Sequence, residues 1–364
     1  MRVLHVAQAT TEGVGRFVVQ AAADQAQRGW EVAVASPPEP RLVEECRAAG
    51  VLHRPWSATR SPVVRWRELR GLRRVVREVD PTVVVLHASK AGLVGRLVLR
   101  GRRPTVFCPH AWSFLDGRRA VRTAALGWER WAARWTTNVL CVSPAEAARG
   151  VAARIDATIR TVPNCVDRDR FRPASEPERV ELRARLGLGD APVAVCVGRL
   201  SRQKGQDVLL AAWPEVLRQV PDAQLVLVGD GPARGALEAR RPPRVTFAGL
   251  TEDVRGWLAA ADVAVQPSRW EGASFATLEA LACGCSLVLT AVDGALDALG
   301  DAGCGTVVPV DDPGPLAAAL VARLGDLRRA GLEGEQARIR SAAFDEAGWG
   351  DRLAEVLESA ERMP

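Results

Sequence analysis

Short apolar runs alternate with helix-length segments along the whole chain, and that alternation limits the fold more than any single motif does. Val3–Val6, Glu31–Ala35, Thr82–Leu86, Thr105–Cys108 and Asn138–Val142 have strand length, and between them lie expected helices near 16–28, 62–79, 89–100, 118–135 and 144–154. Strand, helix, strand predicts a parallel sheet, because the crossover returns the chain in the same direction and covers both sheet faces. The pattern pauses at Pro163–Pro177, which is rich in Pro, Arg and Asp. It resumes with Pro192–Val197, Gln224–Val228, Arg244–Phe247, Asp262–Gln266, Ser286–Leu289 and Thr306–Val308. A chain of 364 residues also exceeds one ordinary core. The expected class is α/β, with two Rossmann-like doubly wound domains over 1–170 and 171–344. A last helix near 345–364 is expected to pack back on the first. Ligands of such sheets bind outside the carboxyl ends of the strands, so the site is expected in the cleft between the domains.

Composition excludes several classes. No apolar run approaches the length of a spanning helix. Met1-Arg2 runs straight into Val3–Ala7, too short an apolar run for a secretory h-region, so a cytoplasmic location is expected. The eight cysteines lack zinc-ligand spacing and read as buried free thiols in a reducing compartment. A net charge of +6 suits an anionic ligand, an anionic membrane or nucleic acid. No nucleic-acid motif accompanies the charge, so nucleic acid is not an expected partner.

Four constellations carry candidate chemistry. In Glu271-Gly272-Ala273-Ser274-Phe275-Ala276-Thr277-Leu278-Glu279, two carboxylates flank a Gly/Ser turn. Ser274 is an N-cap residue type ahead of an apolar run, so the turn should aim backbone N–H groups and a helix dipole at an anion. Gly198-Arg199-Leu200-Ser201-Arg202-Gln203-Lys204-Gly205 follows the first strand of the second half. Arg199 can grip phosphate oxygens with its fork, and Lys204, one of two lysines beside Lys90, adds a point charge. Gly13 and Gly15 follow the first strand, where glycines let backbone approach a ligand, although a tight turn alone explains them equally well. His110, in Phe107-Cys108-Pro109-His110-Ala111-Trp112, ends a first-half strand and should face the site. The alternative there is a structural hydrogen bond. His87 ends the previous strand, while His5 and His53 read as core or surface. Val228-Gly229-Asp230-Gly231-Pro232 does not complete a dinucleotide fingerprint and reads as a ligand-facing loop.

Residues 118–135 form an expected basic helix with Trp128, Trp131 and Trp135 on one face and Arg119, Arg122, Arg130 and Arg134 on another. Such a helix either packs its tryptophans on the sheet or lies on an anionic membrane. Peripheral contact with the inner face of the cell membrane therefore stays open.

Together these motifs resemble the retaining glycosyltransferases of the GT-B fold, in the large group that includes sucrose synthases and bacterial mannosyltransferases. The resemblance covers nearly the whole chain, and its specific parts are the Glu271/Glu279 spacing and the Arg199/Lys204 pair. It implies that Glu271 contacts hydroxyls of the donor sugar and that Glu279 accepts bonds from the ribose. It assigns the diphosphate to Arg199 and Lys204, helped by backbone amides near Ser274, Phe275 and Ala276 and by the Gly13–Gly15 segment. His110 would sit beside the transferred sugar and the base near Ala248–Leu250. No metal is expected. The partners implied are a nucleotide-sugar donor and a hydroxyl acceptor of unread identity. The chain departs from the group's pattern at Glu12, at Cys165 in Asn164-Cys165-Val166-Asp167, and at Ala291–Ala295.

The expected reaction moves a hexosyl group from a UDP- or GDP-sugar to an acceptor hydroxyl with retention, in cell-surface polysaccharide or glycolipid synthesis. No pair of carboxylates of the glycosidase kind can be assigned. A small secondary metabolite is the alternative acceptor. The alternative classes are a nucleotide-sugar epimerase of the same fold and a non-catalytic sugar-nucleotide-binding subunit.

Overall fold

Among the described residues, thirteen parallel strands fall into two sheets, each built from the apolar runs and crossovers of its own part of the chain. The structure, a computed structural model, describes all residues except Thr11, Arg60, Pro62, Glu252, Met363 and Pro364, and the side chain of Glu12. One unit comprises Met1–Asn164 and Ala347–Pro364, the other Cys165–Glu346.

The first unit holds β1 (Arg2–Ala7), β2 (Glu31–Ser36), β3 (Leu52–Pro55), β4 (Val83–His87), β5 (Thr105–Cys108), β6 (Asn138–Cys141) and β7 (Thr158–Thr161), in the order β3-β2-β1-β4-β5-β6-β7. Register is tight: β1 runs beside β4 with His5 level with Val85 and Ala7 level with His87. Leu4 and Val6 of β1 pack into one apolar face with Leu86 and Phe107, and Ala7 into the other with Val18, Val34 and Leu42. Two-sided burial of this kind is why the central strands read as unbroken apolar runs. The last helix, Trp349–Glu361, belongs to this unit. Trp349 meets Phe17 edge-on at 5.4 Å, Asp351 pairs with Arg28 at 2.7 Å, and Asn138 donates to the Val356 carbonyl at 3.1 Å.

The second unit holds β8 (Val193–Val197), β9 (Gln224–Val228), β10 (Val245–Gly249), β11 (Val263–Gln266), β12 (Ser286–Thr290) and β13 (Gly305–Val308), ordered β10-β9-β8-β11-β12-β13. Val193, Val195 and Val197 point to one helix layer, Ala194 and Cys196 to the other. All eight cysteines are buried and free. Among the described residues, no helix is long and apolar enough to cross a membrane.

Several boundaries differ from the sequence reading. The first helix begins at Glu12 rather than 16, and the third at Trp66 rather than 62. The edge strands β3 and β7 had no apolar signal to show, since no residue in either is buried. The Trp-bearing helix runs Arg119–Ala132, and Trp135 sits in the following 3-10 turn.

Candidate functional site

In the second sheet the strand order reverses between β8 and β11, and the loops leaving these neighbours carry the predicted charges. Such a reversal opens a crevice at the carboxyl ends. After β8 the chain runs through Gly198 and Arg199 into a 3-10 turn at Arg202–Lys204, then into the helix Gln206–Gln219. Gly205 joins the last two with φ +67°, and a Cβ there would fall 2.0 Å from the Pro267 carbonyl oxygen. Only glycine lets the two loops touch.

Three further links lock that contact. Arg269 N–H donates to the Gln203 carbonyl at 2.7 Å, and the Gln203 amide donates to the Trp270 carbonyl at 3.0 Å. The Arg269 guanidinium grips both oxygens of Asp207 at 2.8 and 2.7 Å, and holds that carboxyl below its ordinary range. The outcome is a direct ion pair, with Lys204 Nζ 2.6 Å from Glu271 Oε1, while Ser268 Oγ donates to the same oxygen at 2.8 Å. Both bonds use Oε1, so Oε2 stands outside them. The side chains are only 14% and 11% exposed, so salt screens the pair weakly.

Glu271 is buried and orients Lys204, a pairing that the sequence reading did not make. The Gly229-Asp230-Gly231 turn supports the Arg199 loop. Leu200 N–H donates to the Asp230 carbonyl at 3.0 Å, and a Cβ on Gly229 would lie 2.2 Å from the Gly198 carbonyl oxygen. Arg199 Nη2 stands 3.5 Å from Gln203 Oε1.

Ser274 does occupy the N-cap of the helix Phe275–Ala282, with extended backbone, but its side chain makes no capping bond. Phe275 is buried and Ala276 half-buried in the first turn, and Glu279 is buried one turn further. A small cavity opens here, lined by Ser268, Glu271, Ser274, Thr277 and Asp293 among others. Gly294, at φ +76°, lets the Ala291–Ala295 turn pack on Gly272. Leu250 follows β10 and is 85% exposed.

In the first sheet the order reverses between β1 and β4. Gly13 and Gly15 lie in the first turn of the helix Glu12–Gln27, not in a loop. A Cβ on Gly15 would sit 2.2 Å from the Thr10 carbonyl oxygen, so the turn itself requires that glycine. His110 and Ala111 follow β5 with φ of +53° and +113°, conformations that cost non-glycine residues about 1–3 kcal/mol each. Glu146, fully buried, holds them: its carboxylate accepts from Ala111 N–H at 2.7 Å and Val142 N–H at 2.8 Å.

The His110 ring continues a line of imidazoles. His110 Nε2 lies 3.0 Å from His87 Nδ1, and His87 Nε2 lies 2.9 Å from His5 Nδ1. Burial pushes the His110 pKa down to about 3 and that of His5 to about 4, and holds His87 well below its usual value. All three are therefore neutral at physiological pH, which suits hydrogen bonding and not ion pairing.

Sequence reasoning singled out neither Arg269, Asp207, Gln203 and Ser268, nor Gln25 and Glu146. Arg269 lies among 49 basic residues and had no pattern to mark it. Glu146 had one usable signal, a Ser143-Pro144 helix start with an acid at its third position, which is a capping pattern.

On the Trp-bearing helix, residues 116–124 are all exposed, Arg118, Arg119, Val121 and Arg122 among them. Trp131 is 43% exposed and meets Trp135 edge-on at 4.3 Å, so the helix does not bury all its tryptophans on the sheet.

Comparison with known proteins places this geometry. A family model described as "Glycosyl transferases group 1" matches residues 191–326, and one described as "Glycosyltransferase Family 4" matches residues 11–170. D-inositol 3-phosphate glycosyltransferase 1 of Catenulispora acidiphila is 31% identical, over 96% of this chain and 91% of its own. The GDP-mannose-dependent alpha-(1-6)-phosphatidylinositol monomannoside mannosyltransferase of Mycolicibacterium smegmatis is 38% identical over 55% of this chain. That match spans little more than half of the relative's length, 56%. Among solved structures, Anabaena Alr3699/HepE in complex with UDP and glucose superposes with a TM-score of 0.82 at 20% identity, covering 99% of this chain and all of that one. Sucrose-phosphate synthase from Thermosynechococcus elongatus gives 0.81 at 20% identity, covering 98% of each chain. These likenesses show the GT-B fold class, two doubly wound parallel-sheet units.

Proposed function

The chain belongs to the group 1 and family 4 glycosyltransferases, and on that premise we propose that it moves a hexosyl group from a nucleoside diphosphate sugar to an acceptor hydroxyl, with retention. The Lys204–Glu271 pair at the β8/β11 reversal carries this reading. It sets a cation for the diphosphate beside a carboxylate oxygen, Oε2, that can accept from sugar hydroxyls. Arg199 is the second phosphate group, and the Ser274–Ala276 amides cap the same anion. Glu279 reads the ribose and Leu250 offers an apolar platform for the base. His110 reads a hydroxyl of the transferred sugar.

In the reaction the C1–O bond to the diphosphate breaks and the bond from C1 to the acceptor oxygen forms on the same face. The acceptor proton passes to a diphosphate oxygen. Charge builds on the leaving group, and Lys204 and Arg199 are aimed where it develops. On this reading they take the part of a divalent cation, so activity is expected to survive chelation by EDTA.

Both the Mycolicibacterium relative and one from Corynebacterium glutamicum are named as GDP-mannose-dependent, so GDP-mannose leads the candidate donors. A lipid-linked acceptor for glycolipid synthesis fits the exposed basic segment 116–124 and the exposed Trp131, which can rest on anionic headgroups. Sedimentation with vesicles containing phosphatidylinositol, against phosphatidylcholine alone, separates that reading from a small dissolved acceptor.

The deciding experiment is a thermal-shift panel of GDP-, UDP-, ADP- and dTDP-sugars, followed by assay of the stabilising donor with and without acceptor. Stabilisation by one donor and an axial, donor-like linkage in the product (for GDP-mannose, the α anomer by NMR) support the proposal. Turnover of donor alone to an epimer favours an epimerase, and stabilisation without turnover favours a binding subunit.

A further inference from the structure

The chain has four histidines, and three of them form one line with Gln25. Gln25 Oε1 lies 2.8 Å from His5 Nε2, and the two imidazole–imidazole contacts follow at 2.9 and 3.0 Å. Neighbouring rings stack with centroids 5.2 and 5.3 Å apart. Gln25, His5 and His87 are sealed from solvent, and only His110 reaches the surface. Phe17 closes the flank, its ring 5.7 Å from His87 and 4.9 Å from His110.

A neutral imidazole has one donor nitrogen and one acceptor nitrogen. Each contact in the line takes one proton, and three neutral rings supply three. With Gln25 Oε1 accepting at the buried end, His5 must carry its proton on Nε2. His5 Nδ1 is then an acceptor, so His87 must also donate from Nε2, and His110 likewise. The proton of His110 is committed inward. Its Nδ1, which bonds to no described residue, is left as a lone pair. The line cannot carry protons away, because a neutral amide at its far end takes none up. It can only set which nitrogen of His110 is the acceptor.

We propose that Gln25, His5 and His87 are positioning residues that fix His110 as the Nε2–H tautomer, so that His110 Nδ1 accepts a hydrogen bond from a hydroxyl of the sugar being transferred. The last step rests on the proposed function, which puts His110 beside that sugar, whereas the tautomer assignment rests on the contacts and on Gln25 presenting Oε1 to His5. An isolated, solvated histidine exchanges between tautomers. A wired one does not, and a reader with one fixed polarity favours a hydroxyl in one orientation.

The test is long-range 1H–15N correlation NMR on the histidine-labelled protein at pH 7, paired with steady-state kinetics. The expected spectrum shows His5, His87 and His110 neutral and protonated on Nε2. In Gln25→Leu, which removes the acceptor, His110 becomes a tautomer mixture, and kcat/KM for the donor falls about tenfold, the effect of one lost hydrogen bond. A mixed His110 tautomer in the unaltered protein overturns the proposal, as does a single Nε2–H tautomer that persists in Gln25→Leu. Zn2+ stabilisation abolished by Cys108→Ser also overturns it, because His87, Cys108 and His110 bring ligand-type atoms within 4.8 Å and a metal would consume the nitrogens the line uses. If the spectra are as expected but no sugar is transferred by the unaltered protein, the functional reading fails and the tautomer assignment survives.

Discussion

The two units share a strand order and solve the same local problem with opposite chemistry. At the β8/β11 reversal of the second unit, charges are stitched to charges: Lys204 to Glu271, Arg269 to Asp207. At the β1/β4 reversal of the first, neutral imidazoles are lined up out of water, and every histidine of the chain lies in that unit. On the proposed function, the difference follows from what each place would bind. A diphosphate needs cations held in position before it arrives, and a carboxylate partner holds a lysine in place. A sugar hydroxyl needs a donor or an acceptor of fixed polarity, and a charge there would only add desolvation.

The comparison breaks most visibly at Lys204. Lys204→Ala is expected to lower kcat by about 10²–10³, the range for losing one group that stabilises a developing anion, and to weaken donor binding much less. The same change strands the Glu271 carboxylate, so Tm falls as well. Adding Glu271→Gln should restore Tm without restoring turnover, and full activity in Lys204→Ala would end the assignment. Acid separates the units next. Because the folded pKa values of His5 and His110 lie near 4 and 3, the unfolded chain binds more protons below about pH 6.5. Stability of the first unit is complete above that pH and falls as pH drops toward those values, by up to about 1.4 kcal/mol per pH unit for each histidine. In the second unit Glu333, Asp207 and Glu178 are held low, and their stabilisation is lost only in the acidic carboxylate range. Hydrogen exchange at pH 7 and 5 should therefore loosen β1 and β4 before β8 and β11.

Two smaller effects sharpen the contrast. Arg269→Ala removes the clamp on Asp207 and the bond to the Arg202 carbonyl, and should cost about 1–3 kcal/mol, read as a Tm drop of several degrees with a raised donor KM. Leu250→Ala should weaken donor binding about fourfold, the loss of roughly one buried CH2, with kcat unchanged.

Much of the fold was legible because central parallel strands are buried on both faces and announce themselves as apolar runs. β3 and β7 were not, since an edge strand such as Leu52-His53-Arg54-Pro55 faces water and shows no such run. In the site, the charged residues stood out by type: one of only two lysines, and carboxylates around a glycine turn. Their pairing did not, because Lys204 and Glu271 are 67 residues apart and meet only through the crossing of two loops at Gly205. The imidazole line was hidden for a similar reason. His5 lies in mid-strand, where a lone histidine reads as core, and its partner Gln25 lies on a helix. The β1–β4 register brings His5 and His87 together, and the first helix and the end of β5 bring Gln25 and His110 to them.

Central to the proposed function is that Lys204 holds the diphosphate while His110 reads the sugar. Calorimetric titration of the nucleoside diphosphate, and then of the matching sugar nucleotide, into the unaltered protein, Lys204→Ala and His110→Ala tests it most directly. The account predicts that Lys204→Ala weakens the diphosphate about tenfold, or about 1.4 kcal/mol, and that His110→Ala leaves it within twofold while losing affinity for the sugar nucleotide. A His110→Ala protein that loses the bare diphosphate as severely as Lys204→Ala does would contradict it.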